Sequence, residues 1–171
     1  MNLLYFTILF VIAHLFQSTV LPTIFPAWLS AAFDIPLIIV VHVAITRGKL
    51  AGMIVGLVMG YSQDALAAGV LGINGMAKII AGFCGGLLRE KLFVRSMTNR
   101  LITVFGAVIV ATVMKLVILY LFALPAPYLL SPIFIFALVN NTIFALLGSS
   151  VLERLETKIG LRREEEIHLE G

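Results

Sequence analysis

The sequence predicts an all-α integral membrane protein of about six transmembrane helices, and three observations carry that prediction. The chain is 61% hydrophobic and only 12% charged over 171 residues, with a mean hydropathy of +1.10, far from the balance of a soluble domain. Apolar runs recur from end to end, and the basic residues gather in alternate connections between them. The segments outside these runs are too short for a separate soluble domain, so residues 1 to 155 read as one membrane domain and residues 156 to 171 as a charged tail.

Crossing a bilayer core takes roughly 20 helical residues. The first run, 3 to 21, lacks a basic n-region and a small-residue cleavage site, so it reads as a retained span rather than a signal peptide. The second, 33 to 46, is short: about 14 residues at 1.5 Å each reach only ~21 Å. Pro36 suits a first helical turn better than an interior. This run is therefore either a half-helix or one that lengthens upstream through Trp28 to Ala32. The third and fourth, 50 to 68 and 74 to 90, are rich in glycine; the fifth, 101 to 124, carries Lys115, and the sixth, 131 to 153, carries Asn140 and Asn141.

Charge sets the orientation. Arg47 and Lys49 follow the second run, Arg89, Lys91, Arg95 and Arg100 the fourth, and Arg154, Lys158, Arg162 and Arg163 the sixth, whereas the connections near 22 to 32, 69 to 73 and 125 to 130 hold no basic residue. Cytoplasmic loops are enriched in Lys and Arg, which places the C-terminus in the cytoplasm and, with six spans, the N-terminus beside it.

In the third run Gly48, Gly52, Gly56 and Gly60 recur every four residues, and the next step of that register is Asp64. Residues so spaced lie nearly in line on one helix face. Lipid supplies no hydrophobic drive between helices, so small residues at this spacing serve close backbone approach. The fourth run answers with Ala81, Gly82, Gly85 and Gly86, which predicts a tight antiparallel hairpin. Within it, Asp64 and Lys78 each lie seven residues from Leu71 in the connection, at one depth. An unpaired charge at membrane depth costs a few kcal/mol or more, on the order of 3, so the two read as a structural ion pair, with a ligand or partner site involving Asn74 as the alternative.

A second polar layer is expected from Lys115 and Asn140, equally distant from the midpoint between Pro127 and Tyr128, with Asn141 beside them. Amide oxygens there can satisfy the lysine donors that lipid would leave bare. A substrate or proton path is the alternative, which His14 and Gln17 on the first run could join. His14 and His42 are lone histidines, and no HxxxH, CxxC or carboxylate cluster points to a metal. Cys84 is single and reads as a small apolar side chain. With no phosphate-cradling GxxxxGK[ST] loop, no GxSxG elbow and no paired carboxylates, the sequence gives no catalytic motif. No cofactor and no nucleic acid are expected.

Residues 33 to 88, FDIPLIIVVHVAITRGKLAGMIVGLVMGYSQDALAAGVLGINGMAKIIAGFCGGLL, resemble the rod shape-determining protein MreD family. The likeness lies in an acidic-Pro start, a basic turn, a glycine-stepped helix ending in Asp64, and a Leu-Gly-Ile-Asn-Gly turn into a second glycine-containing helix. The residues that match are Gly52, Gly56, Gly60, Asp64, Gly72, Asn74 and Gly75. The rest of the chain agrees in hydropathy and length only. The resemblance implies a non-enzymatic component of the bacterial inner membrane, with a fold similar to the six-helix substrate-binding subunits of energy-coupling-factor vitamin transporters. It implies partnership with MreC, a single-span protein with a periplasmic domain. Through MreC it implies contact with MreB filaments and peptidoglycan synthases, and self-association is a further expectation. A vitamin-type transporter subunit is the alternative function.

Overall fold

The computed structural model describes residues 3–30, 32–67, 70–92, 97–124 and 132–160. Arg95, Arg162, Arg163, the connection 125 to 130 and most of the charged tail lie outside these residues. Among the described residues every regular element is helical: α1 (Leu3–Leu15), a π-helical segment (Phe16–Val20), α2 (Leu21–Ile24), α3 (Ala27–Ser30), α4 (Ile35–Arg47), α5 (Lys49–Leu66), α6 (Ile73–Leu92), α7 (Met97–Leu121) and α8 (Pro132–Lys158). Three stretches are long and apolar enough to cross a membrane, Leu4–Ile24, Thr98–Leu121 and Phe134–Lys158. The chain is an all-helical membrane protein.

The first span changes pitch before it ends. Pro22 sits in the first turn of α2 and has no N–H to donate. Just upstream the helix widens, and the Leu21 N–H reaches back five residues to the Phe16 carbonyl. Phe25, preceding Pro26, is extended, as the clash with a following proline ring requires. α3 is then a separate short helix, and residues 32–34 are not helical. The upstream lengthening through Trp28 is therefore not what forms: the second run is the 13-residue α4.

That short helix is the centre of the molecule. Ten consecutive residues, Pro36 to Ile45, are buried. One side, Leu37, Ile38, Val41 and Ile45, packs with Ala81 of α6, Val104, Ala107, Val108 and Ala111 of α7 and Ala145 of α8. The other, Ile39, Val40 and Val43, packs with Phe6 and Ala13 of α1, Val55 and Met59 of α5 and Leu152 of α8. So rich a β-branched run resembles a buried strand, but a helix satisfies its own backbone polar groups away from water. Asp34 caps the helix, its Oδ1 accepting from Leu37 N at 3.1 Å.

A single residue joins α4 to α5. Gly48 has φ +89, which non-glycine residues rarely adopt, and its N–H closes the end of α4 on the Ala44 carbonyl at 3.1 Å. α5 and α6 then form the predicted hairpin. A Cβ on Gly52 would stand 2.7 Å from the Gly82 carbonyl oxygen, and one on Gly60 would stand 2.5 Å from the Asn74 carbonyl oxygen; Gly56 lies against the Lys78 backbone and Gly86 against that of Lys49. Ala81 and Gly85 differ from expectation in their partners. They pack tightly but on another face of α6, where Ala81 joins the α4–α7 core and Gly85 faces Ala44 and Ala107. The step of Gly75, Gly82 and Gly86, not that of Ala81 and Gly85, meets α5.

The exposed surface is apolar. Leu50, Ile54, Leu57 and Val58 line α5, and Phe136, Val139, Ile143 and Leu147 line α8, as expected of helices facing lipid. α8 runs through residue 155 to Lys158, so the bundle takes in Glu156, which is buried.

Candidate functional site: a polar hub at the start of α4

Non-helical backbone inside a membrane bundle must find partners other than water, and residues 32–35 find them on the π-helical segment and α8, while the Asp34 side chain meets α6. Gln17 of the π-helical segment uses both ends of its amide, Nε2 donating to the Phe33 carbonyl at 3.0 Å and Oε1 accepting from Ile35 N at 3.0 Å. Asn141 of α8 does the same, with Oδ1 accepting from Asp34 N at 2.9 Å and Nδ2 donating to the Ala32 carbonyl at 3.1 Å. Lys78 of α6 donates from Nζ to Asp34 Oδ2 at 2.7 Å and to Gln63 Oε1 of α5 at 2.6 Å. Lys78 is only 1% exposed. The Asp34 carboxylate therefore caps α4 with one oxygen and neutralises Lys78 with the other.

The expected Asp64–Lys78 ion pair does not form. Asp64, 2% exposed, turns to the first turn of α6. Its Oδ2 accepts from Gly72 N at 2.9 Å and Gly75 N at 3.2 Å. Asn74 N approaches both oxygens, at 3.2 and 3.1 Å, and Asn74 Nδ2 donates to Oδ1 at 2.7 Å. The reason is physical: a helix start presents several unsatisfied N–H groups and a positive dipole end, and they lie close to Asp64. Lys78 meets the nearer carboxylate of Asp34. Gly72, at φ +105, turns the chain into this cap, and Gly75 leaves room for the Tyr61 ring.

The expected Lys115–Asn140–Asn141 layer separates. Asn141 belongs to the hub. Asn140 lies on the α8 row of Phe136, Ile143 and Leu147 but is only partly exposed, and its Nδ2 is buried without a hydrogen-bond partner among the described residues. Lys115 falls on the inward row of α7, four residues after Ala111 and three before Ile118, both buried; among the described residues it makes no ion pair or hydrogen bond.

His14 is a satisfied core residue, with its Nδ1 2.9 Å from the Phe10 carbonyl and its Nε2 2.8 Å from Ser62 Oγ; Gln17 joins the hub while His14 does not. His42, fully buried, meets Glu156 Oε1 through Nε2 at 3.2 Å, and Arg47 approaches the same oxygen at 3.7 Å. Arg100 ties α7 to α8 through Glu153 at 2.8 Å and Ser149 at 2.7 Å. Among the described residues no group of three or more His, Cys, Asp or Glu side chains could hold a metal ion.

Sequence reasoning missed Asp34 and Gln63 as partners of Lys78, and Glu156 as partner of His42. The first had a signal: an acid two residues before a proline at the head of an apolar run is a helix-cap pattern, and a capping carboxylate has a second oxygen to offer. No match to the chain was found among protein-family models, curated proteins or solved structures.

Proposed function

We propose that this chain is a non-enzymatic membrane component of the bacterial cell-elongation complex, with six crossings, both termini cytoplasmic, in the inner membrane. It binds an MreC-like single-span protein and so helps position peptidoglycan synthesis, linking indirectly to MreB-type filaments. One observation carries the reading. The stretch that resembles the MreD family, 33 to 88, forms the packed block α4–α5–α6, and its polar side chains Asp34, Gln63, Asp64 and Lys78 are taken up in contacts within the protein. Such a block is suited to presenting fixed apolar faces to another helix. Depletion should turn rods into spheres, and an MreC-like protein should co-purify. Normal cell shape after clean deletion, with no second copy of the gene, would sink the reading.

A second reading, a substrate-capturing subunit of a vitamin-type transporter, draws on the inward-facing, unpaired Lys115. It expects a small molecule to co-purify and a neighbouring gene for an ATPase.

A further inference from the structure

The first span changes chemistry along its exposed side. From Leu4 to Ile24 it runs 21 residues, about 31 Å of helix, which matches a hydrocarbon core with nothing to spare. Toward its N-terminal end the exposed residues are apolar, Leu4, Ile8, Val11, Ile12 and Leu15. In the last two turns they become Ser18, Thr19, Pro22 and Thr23. Ser18 and Thr19 stand about 7 to 9 Å before the end of the span. Hydroxyls on the open side of a helix that needs its whole length to cross are the feature to be explained.

Their hydrogen bonding leaves acceptors over. Ser18 Oγ donates to the His14 carbonyl at 2.7 Å and Thr23 Oγ1 donates to the Thr19 carbonyl. Each hydroxyl thereby spends its one proton and keeps lone pairs that can accept. In the widened turn the Leu21 N–H reaches the Phe16 carbonyl; the next bond of that series, from residue 22 to the Gln17 carbonyl, cannot form because Pro22 has no N–H. Thr19 keeps a proton to give, since its hydroxyl has no hydrogen-bond partner among the described residues. Two hydroxyl acceptors, a carbonyl beside them and one donor thus fall within two turns, where lipid tails serve none of them. Between membrane helices such groups act as glue.

We propose that Ser18, Thr19 and Thr23 form the docking strip for a partner's transmembrane helix, one that carries hydrogen-bond donors, Ser, Thr, Asn or Gln side chains, at the same depth. The surplus of acceptors makes a second copy of this chain a poor match, because two such strips would set acceptor against acceptor. Below the strip, Ile8, Ile12 and Leu15 supply the apolar contact along which the two helices lie. The inference rests on the single-span partner proposed above and names the face that it meets.

The test is photo-crosslinking of the full chain in its own membrane, with benzoylphenylalanine placed at Leu15 or Phe16 beside the strip and, as controls, at the exposed Ile54 of α5 or Leu147 of α8. The first two positions should cross-link to the membrane helix of a single-span protein and the controls should not. Combining Ser18→Ala, Thr19→Val and Thr23→Val should cut that yield about tenfold, the worth of a few interhelical hydrogen bonds, while Thr19→Ser alone retains it. The triple variant should melt with the wild type, because hydroxyl bonds to the preceding turn add little to a helix; should it melt earlier, Thr19→Val alone, which breaks no bond in the protein, must still lower the yield. Adducts only with lipid or with a second copy at Leu15 and Phe16, or an equal yield from the hydroxyl-free variants, overturn the proposal. An MreC-like protein that co-purifies but cross-links through α5 or α8 defeats the strip and leaves the proposed function standing. Hydroxyl-dependent cross-linking to a single-span protein of another kind does the reverse.

Discussion

Replacing Asp64 with alanine removes the acceptor for three backbone N–H groups, those of Gly72, Asn74 and Gly75, and for the Asn74 side chain. Each buried N–H left without a partner costs about 1–3 kcal/mol. Taking the lower limit for the three backbone groups, Asp64→Ala should lose about 3 kcal/mol. For a chain of this size that corresponds to a fall in Tm of about 6–12 °C. Cys84, the sole cysteine and only partly exposed, makes a convenient reporter: a thiol-reactive fluorophore follows unfolding in detergent without labelling sites being added. The decisive comparison is the charge swap. If Asp64 and Lys78 were an ion pair, Asp64→Lys with Lys78→Asp would recover the stability lost in each single change. Capping predicts no recovery, because a lysine cannot accept from N–H groups and an aspartate at 78 would face Asp34. Full recovery in the swap, or an Asp64→Ala change of under about 1 °C, against the 6–12 °C expected, would refute the capping argument.

Two further outcomes follow from the packing. Gly56→Ala should disrupt the α5–α6 hairpin, because the new methyl meets the Lys78 backbone, whereas Gly85→Ala meets only the Ala44 and Ala107 methyls at 3.4 Å and should be neutral or slightly stabilising, by up to about 1 kcal/mol; the same melting assay orders the two. Asp34→Asn and Lys78→Met should each destabilise, and the double variant should cost less than their sum by about 1–3 kcal/mol, since removing one partner of a buried pair strands the other. Additive losses in that cycle would show that the 2.7 Å contact is not an energetic unit.

The sequence announced what depends on spacing and hid what depends on neighbours. The four-residue glycine step named the α5–α6 hairpin, because close backbone approach leaves no alternative residue type. Counting from the connection placed Asp64 and Lys78 at one depth, but depth does not say which way a side chain turns. Asp64 turned to the start of α6, and Lys78 turned to a carboxylate 44 residues upstream on a helix that sequence order does not place beside it. The short second run read as the weakest span. Its length was legible; its centrality was not, since a helix facing lipid and one facing protein on all sides are both apolar.

The burial of α4 has a consequence for how the protein is made. A 13-residue helix is too short to anchor itself in a bilayer as it leaves the ribosome, and in the finished molecule it touches neighbours rather than lipid. Its one-residue joint to α5 at Gly48 ties the placement of the shorter helix to that of the longer. Until α7 and α8 arrive, Asp34 has no Asn141 and the side of α4 formed by Leu37, Ile38, Val41 and Ile45 has only Ala81 of α6 against it. α7 and α8, which follow in the chain, thus complete the core around α4, and a chain truncated before α8 leaves the Asp34 N–H without its Asn141 acceptor.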